Sequence, residues 1–298
     1  MKRLLRASAR VARLVALVCC LHIVSFEASV ALAQQANPPG TPGRGSFTPP
    51  PRDPRVEVRT YLFEQTNEQI PYAIFVSSKV RPNRRSPLII ALHGLGGTHE
   101  SLMRGNAVDL AEEGGYILVG PMGYNPRGWY GVPARPRPEG AARPARGGPF
   151  GGENDPPNLR ELSEKDVMNV LGLIREEFEI DARRTYLMGH SMGGAGTFYL
   201  GTKYPENWAA LAAIAPAAFG LDPESIATVP DMPVVIVHGD MDTAVPVAVS
   251  RSWVDVLEQN DMTYDYLEVA GGNHGDVISI GMPTIFEFFE RHSKPRSR

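Results

Sequence analysis

The amino-acid sequence predicts an α/β protein whose central sheet is mostly parallel and covered by helices on both faces. The main observation is that apolar runs typical of buried strands alternate with segments of helical periodicity from residue 56 to residue 291. A second is the chain length of 298 residues, which suits one large α/β domain better than two. Hydrophobic residues make up 43% and charged residues 21% of the chain, an ordinary globular composition that selects no activity.

The predicted domain begins with a hairpin in which segments 56–64 and 70–77 pair as antiparallel strands. Residues 88–92 follow as a short, continuously apolar run, which is typical of a strand buried on both faces. Further strands are predicted over residues 116–120, 185–188, 209–215, 234–237 and 264–269. Helices are predicted over residues 101–113, 163–178, 193–203, 247–259 and 277–291, with Ser163 as the cap of the second.

The first 33 residues have the three-part pattern of a secretory signal peptide. Five basic residues precede an uncharged, mostly apolar run over 14–26, and Ala31-Leu32-Ala33 supplies small residues at a cleavage site. The run is shorter than a relaxed membrane span, so we expect a secreted or periplasmic protein without stable membrane insertion after cleavage. An uncleaved anchor is the alternative. A lipoprotein anchor on Cys19 or Cys20 has less support, because neither cysteine follows a small residue.

Composition after the leader narrows the possible chemistry and partners. Both cysteines lie in the leader, so the cleaved protein would have neither a disulfide nor thiol chemistry. The net charge of −3 becomes more negative when the basic leader is removed, which argues against a nucleic-acid partner. Residues 34–55 are rich in proline and are predicted to form a linker, so that the α/β domain spans 56–298. The sequence does not indicate an oligomeric state.

Residues 123–158 interrupt the alternation with prolines, glycines and arginines and have almost no periodicity. A loop of this length is usually functional or disordered, and this one follows a central strand, where open sheets place their binding crevice. A substrate-shaping insertion and a mobile surface insertion fit the pattern equally well. Trp129 and Tyr130, at its start, are the residues that we expect to contact a substrate.

Gly189-His190-Ser191-Met192-Gly193 matches the pattern G-x-S-x-G at a predicted strand-to-helix turn. Such a turn lifts the serine clear of the sheet, and side chains in place of the two glycines would collide with the neighbouring strand and helix. The start of the helix also lends partial positive charge to a developing anion. Ser191 is therefore the candidate nucleophile, and the alternative is a serine that only caps the helix.

A serine hydroxyl needs a base, and the base needs an orienting acid. His274 lies in a glycine-rich loop after the last predicted strand, from which its imidazole can swing toward Ser191. Asp240 and Asp242 compete as the acid, since both directly follow a buried strand. Asp242 is favoured because it sits further into the loop, whereas Asp240 fits a turn residue bonded to the local backbone. Asp276 is too near His274 in sequence and is expected to cap the closing helix.

His93-Gly94-Leu95-Gly96-Gly97 follows the strand at 88–92, in the position where a sheet of this kind contributes a donor to an oxyanion hole. Glycines there let the main chain approach a substrate closely. We expect the N–H groups of Leu95 and Met192 to bind the oxyanion, and His93 to be structural. The sequence has neither a metal-ligand pattern nor a phosphate-binding loop, so no metal and no cofactor are expected.

Together, HGLGG, GHSMGG, HGDMDTAVP and GGNHG resemble the α/β-hydrolases of the esterase and prolyl-oligopeptidase-like group, with dienelactone hydrolases, feruloyl esterases and polyhydroxybutyrate-depolymerase-like esterases as relatives. The resemblance covers about residues 56–291. It implies the α/β-hydrolase fold, a triad of Ser191, Asp242 and His274, and hydrolysis of a small-molecule or polymer ester through an acyl-enzyme. A small secreted serine peptidase is the alternative enzyme, although the sequence does not contain the propeller domain of true prolyl oligopeptidases. A non-catalytic binding protein on a hydrolase scaffold is the alternative outside enzymes.

Overall fold

The computed structural model describes residues 53–134, 152 and 155–295. Within these residues, eight strands form one sheet, and five α-helices flank it. The predicted signal peptide over 1–33 lies outside the described residues, as do nearly all of the predicted linker over 34–55 and most of the insertion over 123–158.

The described elements follow the predicted alternation of strands and helices. The strands are β1 (Glu57–Phe63), β2 (Glu68–Val76), β3 (Ser86–Leu92), β4 (Ile117–Pro121), β5 (Ile180–His190), β6 (Ala210–Ile214), β7 (Val234–Gly239) and β8 (Tyr264–Val269). The helices are α1 (Asn106–Gly114), α2 (Leu159–Glu177), α3 (Met192–Lys203), α4 (Ala248–Gln259) and α5 (Asp276–Arg291). In the part of the chain that the structure describes, none of these helices combines the length and apolar character of a membrane span.

The sheet has the strand order β1-β2-β4-β3-β5-β6-β7-β8. The pairs β1–β2 and β2–β4 are antiparallel, and every other neighbouring pair is parallel. Every residue of β3 is buried, as expected for a strand covered on both faces. The mostly parallel sheet with an antiparallel N-terminal hairpin confirms the predicted fold class.

Helices cover both faces of the sheet and fix the position of its loops. One face packs against α2, α3 and α4, and the other packs against α1 and α5. Phe198 of α3 and Trp253 of α4 stack with their ring centroids 3.7 Å apart, and both side chains are almost fully buried. Burying an apolar side chain of this size stabilises the fold by about 1.5–3 kcal/mol relative to leaving it exposed. The elements that carry the candidate site are therefore held in a rigid scaffold.

Two helices begin four or five residues away from their predicted starts, whereas the other three begin within one residue of them. Helix α1 begins at Asn106 rather than residue 101, because residues 98–105 form turns in which the N–H of Thr98 donates to the Ser101 hydroxyl. Helix α2 begins at Leu159, so the expectation that Ser163 caps it is wrong. Ser163 lies within α2, and its hydroxyl oxygen instead accepts the N–H of Tyr130 at 3.0 Å.

Candidate active site

The predicted site residues follow strands that end at one edge of the sheet. The glycine-rich loop follows β3, Ser191 follows β5, Asp242 follows β7 and His274 follows β8. These strands belong to the parallel part of the sheet, so their carboxyl ends open on the same side. The topology therefore brings together loops that are far apart in sequence.

Ser191 occupies the turn between β5 and α3 with φ 56° and ψ −114°, a conformation that residues with a side chain rarely adopt. Its N–H donates to the carbonyl of Ile214 at 2.9 Å, and its own carbonyl accepts the N–H of Ala217 at 2.9 Å. These bonds fix the turn against the loop after β6. Ser191 is partly exposed and makes no side-chain capping bond to α3, so the alternative role as a helix cap finds no support.

The two glycines of the serine motif lie where a side chain would overlap the main chain. A Cβ on Gly193 would lie 2.1 Å from the carbonyl oxygen of Leu92, and one on Gly189 would lie 2.2 Å from the carbonyl oxygen of Gly193. These contacts are with the end of β3 and the first turn of α3. The predicted collision of side chains at both positions with the neighbouring strand and helix is confirmed.

Gly193→Ala is therefore expected to destabilise the protein by about 1–3 kcal/mol, since the added methyl group cannot be accommodated without a shift of the main chain. The same shift should lower the turnover number. The measurement is urea unfolding together with ester hydrolysis.

Gly172→Ala is the matched control for this variant. Gly172 lies in α2, and a Cβ there would have no atom within 4 Å. Alanine is favoured over glycine in a helix by about 1 kcal/mol, so this variant should gain stability and keep full activity. Equal stability losses in the two variants would contradict the steric interpretation of Gly193.

Asp242 and His274 form a short hydrogen bond, with His274 Nδ1 2.6 Å from Asp242 Oδ2. A carboxylate only accepts, so Nδ1 carries the proton and Nε2 of His274 is left with its lone pair. The Asp242 side chain is fully buried, whereas that of His274 is 25% exposed. The geometry is that of a base held by a buried acid and open to a substrate.

Hydrogen bonds keep Asp242 ionised despite its burial. Its Oδ1 accepts the N–H of Ala244 at 2.8 Å and that of Val245 at 2.9 Å. Burial alone would raise the pKa of Asp242, but the bonds from Val245, His274 and Ala244 outweigh burial and lower the pKa below its ordinary value. Asp242 is therefore a permanent negative charge behind His274 at neutral pH.

The competing acids make other contacts. Asp240 is exposed, and its Oδ1 accepts the N–H of Gly271 at 2.7 Å, so it binds main chain on the neighbouring loop rather than His274. The expectation that Asp276 caps α5 is wrong. Asp276 is the first residue of that helix, and the cap position before it is occupied by Gly275. The carbonyl oxygen of the Asn273 side chain accepts the N–H of Asp276 at 3.0 Å instead.

His190 connects the turn at Ser191 to the loop that carries His274. Its Nε2–H donates to the carbonyl oxygen of His274 at 2.8 Å, and the two rings lie with their centroids 4.6 Å apart. Burial, reinforced by the neighbouring imidazole of His274, lowers the pKa of His190 to about 4. His190 directly precedes Ser191 and is neutral. Its hydrogen bond therefore holds the main chain of His274 next to the turn at Ser191.

The glycine-rich loop lies against the turn at Ser191. A Cβ on Gly94 would lie 3.3 Å from the Cβ of Ser191, and the N–H of Gly96 donates to the carbonyl of Pro126 at 2.9 Å. Among the residues that the structure describes, neither the N–H of Leu95 nor that of Met192 has a hydrogen-bond partner. Two main-chain donors are therefore available at the predicted oxyanion site.

His93 and Tyr130 support this loop from inside the protein. The His93 ring is buried, with Nδ1 and Nε2 each 2.8 Å from a main-chain carbonyl oxygen, those of Gly94 and Met122. Tyr130 is fully buried and its hydroxyl donates to the carbonyl of His93 at 3.1 Å. Tyr130 therefore presents no surface to a substrate, which corrects the expectation that it makes direct contact.

Trp129 differs from its neighbour in exposure and contacts. Its indole ring is partly buried, and the guanidinium carbon of Arg160 lies 5.4 Å from the ring centroid. The indole N–H is enclosed and has no hydrogen-bond partner within the described ranges. Trp129 and Tyr130 both adopt positive φ angles, of 60° and 51°. Trp129 is thus only partly exposed at the start of the insertion.

A buried carboxylate that sequence reasoning missed anchors the turn after β4. Asp166 on α2 accepts the Tyr61 hydroxyl at 2.6 Å and the N–H of Tyr124 at 3.1 Å. Its burial raises the pKa to about 6, although these hydrogen bonds act in the opposite direction. The turn that bonds Gly96 is thus fixed to α2, and α2 indirectly supports the oxyanion loop.

Two histidines at the site were also missed. His190 immediately precedes Ser191, and His238, which lies in β7, has its Nε2 3.2 Å from Asp242 Oδ2. The signal for both was a polar residue near the end of an otherwise apolar strand, a place where parallel sheets position functional groups. Over residues 53–134, 152 and 155–295, no group of three or more acidic, histidine or cysteine side chains is arranged to hold a metal ion.

Comparison with known proteins identifies relatives of the chain. The sequence profile of an esterase family described as "Putative esterase" matches residues 64–277. Feruloyl esterase B of Neurospora crassa is 30% identical over 130 residues, which are 42% of this chain and 37% of that protein. Cutinase 1 of Thermobifida cellulosilytica is 33% identical over 95 residues, which are 32% of this chain and 34% of that protein. The matches thus span about a third of the length of these two curated relatives.

Solved structures share the fold. A thermostable esterase superposes with a TM-score of 0.61 at 25% identity, covering 80% of this chain and 64% of that chain. A ferulic acid esterase from Anaeromyces mucronatus, solved in complex with ferulic acid, also gives a TM-score of 0.61, at 19% identity, and covers 80% of this chain and 90% of that chain. The second likeness is one of fold alone.

Proposed function

The chain belongs to this esterase family, and from that membership we propose that it hydrolyses carboxylic esters through an acyl-enzyme on Ser191. The observation that carries the proposal is the 2.6 Å bond between Asp242 and His274, in a loop that His190 binds beside the nucleophile turn. A buried acid, a partly exposed imidazole and a strained serine turn are the parts that acyl transfer by a serine needs. The N–H groups of Leu95 and Met192, which have no hydrogen-bond partner among the described residues, complete the set.

In the proposed acylation, the Ser191 hydroxyl attacks the ester carbonyl while Nε2 of His274 takes its proton. The buried charge of Asp242 stabilises the imidazolium that forms and holds it in the tautomer that the step requires. The N–H groups of Leu95 and Met192 bind the oxyanion of the tetrahedral intermediate, and each such donor contributes about 3 kcal/mol of transition-state stabilisation. His274 then protonates the leaving alkoxide, the carbon–oxygen bond breaks, and the alcohol departs.

Deacylation repeats the same steps with water as the nucleophile. His274 removes a proton from the water molecule as it attacks the acyl carbonyl, and the same two donors bind the oxyanion. Collapse of the intermediate returns the proton to Ser191 and releases the carboxylic acid. Every proton moves through His274, so no metal or cofactor is needed for this chemistry.

The proposed substrate is a small-molecule or polymer ester, and Trp129 is the proposed contact residue outside the catalytic group. Two relatives carry the names feruloyl esterase and cutinase, which supports an ester rather than a peptide bond. Trp129 is partly exposed, and its indole ring suits an apolar or aromatic part of the substrate. For the remaining chain we propose that residues 1–33 direct export to a secreted or periplasmic location, that 34–55 form a linker, and that 56–298 form the hydrolase domain.

A matched pair of substrates tests the reaction class. We expect hydrolysis of p-nitrophenyl acetate and no measurable hydrolysis of p-nitroacetanilide, because the amide is less electrophilic and its nitrogen is a much poorer leaving group. A prolyl p-nitroanilide peptide extends the test to the peptidase alternative. Release of p-nitrophenol and of p-nitroaniline is followed by absorbance, and faster cleavage of either anilide would contradict the esterase proposal.

A further inference from the structure

His238 is a fully buried histidine in β7, surrounded by polar partners on both ring nitrogens. Its Nδ1 lies 2.6 Å from the hydroxyl oxygen of Ser250 on α4. Its Nε2 lies 2.9 Å from the carbonyl oxygen of Val245 and 3.2 Å from Asp242 Oδ2. A buried imidazole with this many partners has one allowed orientation.

The partners determine which nitrogen carries the proton. A carbonyl oxygen only accepts, so Nε2 must donate, and its hydrogen bond goes to Val245 while Asp242 Oδ2 lies 3.2 Å from the same nitrogen. The hydroxyl of Ser250 can donate, so Nδ1 of the neutral ring accepts from it. His238 is therefore the neutral Nε2–H tautomer, with every hydrogen-bonding atom of its ring in use.

Both histidines contact the same carboxylate oxygen of Asp242. Oδ2 accepts from His274 at 2.6 Å and lies 3.2 Å from His238, while Oδ1 accepts two main-chain N–H groups. A carboxylate offers about four acceptor positions, and hydrogen bonds from Ala244, Val245 and His274 use three of them. His238 is the second histidine in contact with Oδ2.

We propose that His238 is a positioning residue for the catalytic acid, whose Nε2–H holds Asp242 Oδ2 in the place where it receives the Nδ1–H of His274. The inference rests on the proposed function, since it concerns the same Ser191–His274–Asp242 group. His238 does not touch the substrate and acts only through Asp242. Without it, the carboxylate keeps its two main-chain bonds at Oδ1 and can rotate Oδ2 away from His274.

A neutral donor suits this position better than a cation. A lysine or arginine would pair with Asp242 and reduce the negative charge available to the His274 imidazolium. Burial lowers the pKa of His238 below its ordinary value, although the bond to Val245 and the charge of Asp242 oppose this effect. The ring therefore stays neutral while it orients the acid.

Other ionisable groups around His238 are few and are accounted for. Glu268 on β8 is its neighbour in the strand register, and Arg251 of α4 pairs with Glu268 at 2.5 Å. Arg251 and the Tyr266 hydroxyl lower the pKa of Glu268 to about 2, so that it stays charged. His190, the last residue of β5, is neutral because its pKa is lowered to about 4. Over the pH range in which a general base titrates, these groups keep constant charge.

Two substitutions distinguish the role of Nε2 of His238 from that of Nδ1. Glutamine places a terminal amide near the position of Nε2, whereas asparagine reaches only that of Nδ1. His238→Asn should therefore lose the donor to Asp242, and a misplaced acid lowers kcat by about 10- to 100-fold with little change in KM. His238→Gln should restore most of kcat. Ser250→Ala is the control for a general loss of packing, since it removes the partner of Nδ1 and leaves the donor to Asp242.

The pH profile gives a readout that loss of packing would not change. In His238→Asn the displaced carboxylate stabilises the His274 imidazolium less, so the acidic limb of kcat/KM should move to lower pH. His238→Gln and Ser250→Ala should keep the wild-type limb. A shift to higher pH in His238→Asn, or equal kcat for the asparagine and glutamine variants, would overturn the positioning role.

A measurement on the wild-type protein covers the case in which a variant does not fold. Nitrogen-15 NMR of labelled histidine should show His238 as the neutral Nε2–H tautomer throughout the pH range of the activity profile. An imidazolium or an Nδ1–H tautomer at His238 would overturn the inference. Failure of the proposed function is distinguishable, because the wild-type protein would then show no ester turnover and no covalent labelling of Ser191 by a fluorophosphonate.

Discussion

Replacing Ser191 with alanine is expected to reduce ester hydrolysis by about 10⁵- to 10⁶-fold, to the level that binding and oxyanion donors alone can support. The reason is that in the proposed mechanism no other group takes the acyl group: His274 is assigned to proton transfer, and the Asp242 side chain is buried behind it. The measurement is the turnover of p-nitrophenyl acetate together with labelling by a fluorophosphonate, which should modify Ser191 in the wild-type protein and nothing at the site in the variant.

The stability of Ser191→Ala should match that of the wild-type protein. Alanine, like serine, has a Cβ at the same positive φ, and the Ser191 side chain makes no capping bond that its removal would break. Ser252→Ala, which removes a hydroxyl on α4 that donates to the carbonyl of Val249, is the matched control and should keep full turnover. Undiminished hydrolysis by Ser191→Ala would rule out Ser191 as the nucleophile.

The second large effect is expected for Asp242→Asn, with a loss of about 10⁴-fold in kcat. The amide would lose the charge that stabilises the His274 imidazolium, and its NH₂ group could face Nδ1 and favour the wrong tautomer. The steady-state rate on the same ester measures the effect.

Asp240→Asn is the matched variant in the same loop. The side-chain oxygen of asparagine can still accept the N–H of Gly271, which is the bond that Asp240 makes, so kcat should fall by no more than a few-fold. The opposite order of the two losses would assign the role of the acid to Asp240.

The sequence was sufficient to predict the order of the elements and the loops that meet at the site. Buried parallel strands leave an unambiguous apolar signal, as in β3, where every residue is buried. Asp242 and His274 were each predicted from their positions after a strand, and the structure places them 2.6 Å apart. Parallel topology explains this success, because it converts a position in sequence into a position at one edge of the sheet.

The errors concern residues whose partners are distant in sequence. Ser163 resembles a helix cap, but its hydroxyl bonds Tyr130, which lies 33 residues earlier. Tyr130 looks like an exposed loop aromatic, yet it is fully buried under His93. Local pattern gives the propensity of a residue to cap or to be exposed, whereas tertiary contacts decide its actual partner. For the same reason, local sequence did not indicate the roles of Asp166, His190 and His238, which act through neighbours on other elements.

The backbone of Ser191 has a consequence for how this protein can change over time. A residue with a side chain held at φ 56° costs of order 1–3 kcal/mol, which glycine at the same position would avoid. Substitutions are retained when the free energy of unfolding of the protein stays above the threshold needed for function. At position 191 glycine would give the more stable protein, and glycine has no hydroxyl. Selection for thermal resistance alone would therefore act against serine at position 191, and if Ser191 is the nucleophile as proposed, its retention depends on selection for the reaction itself.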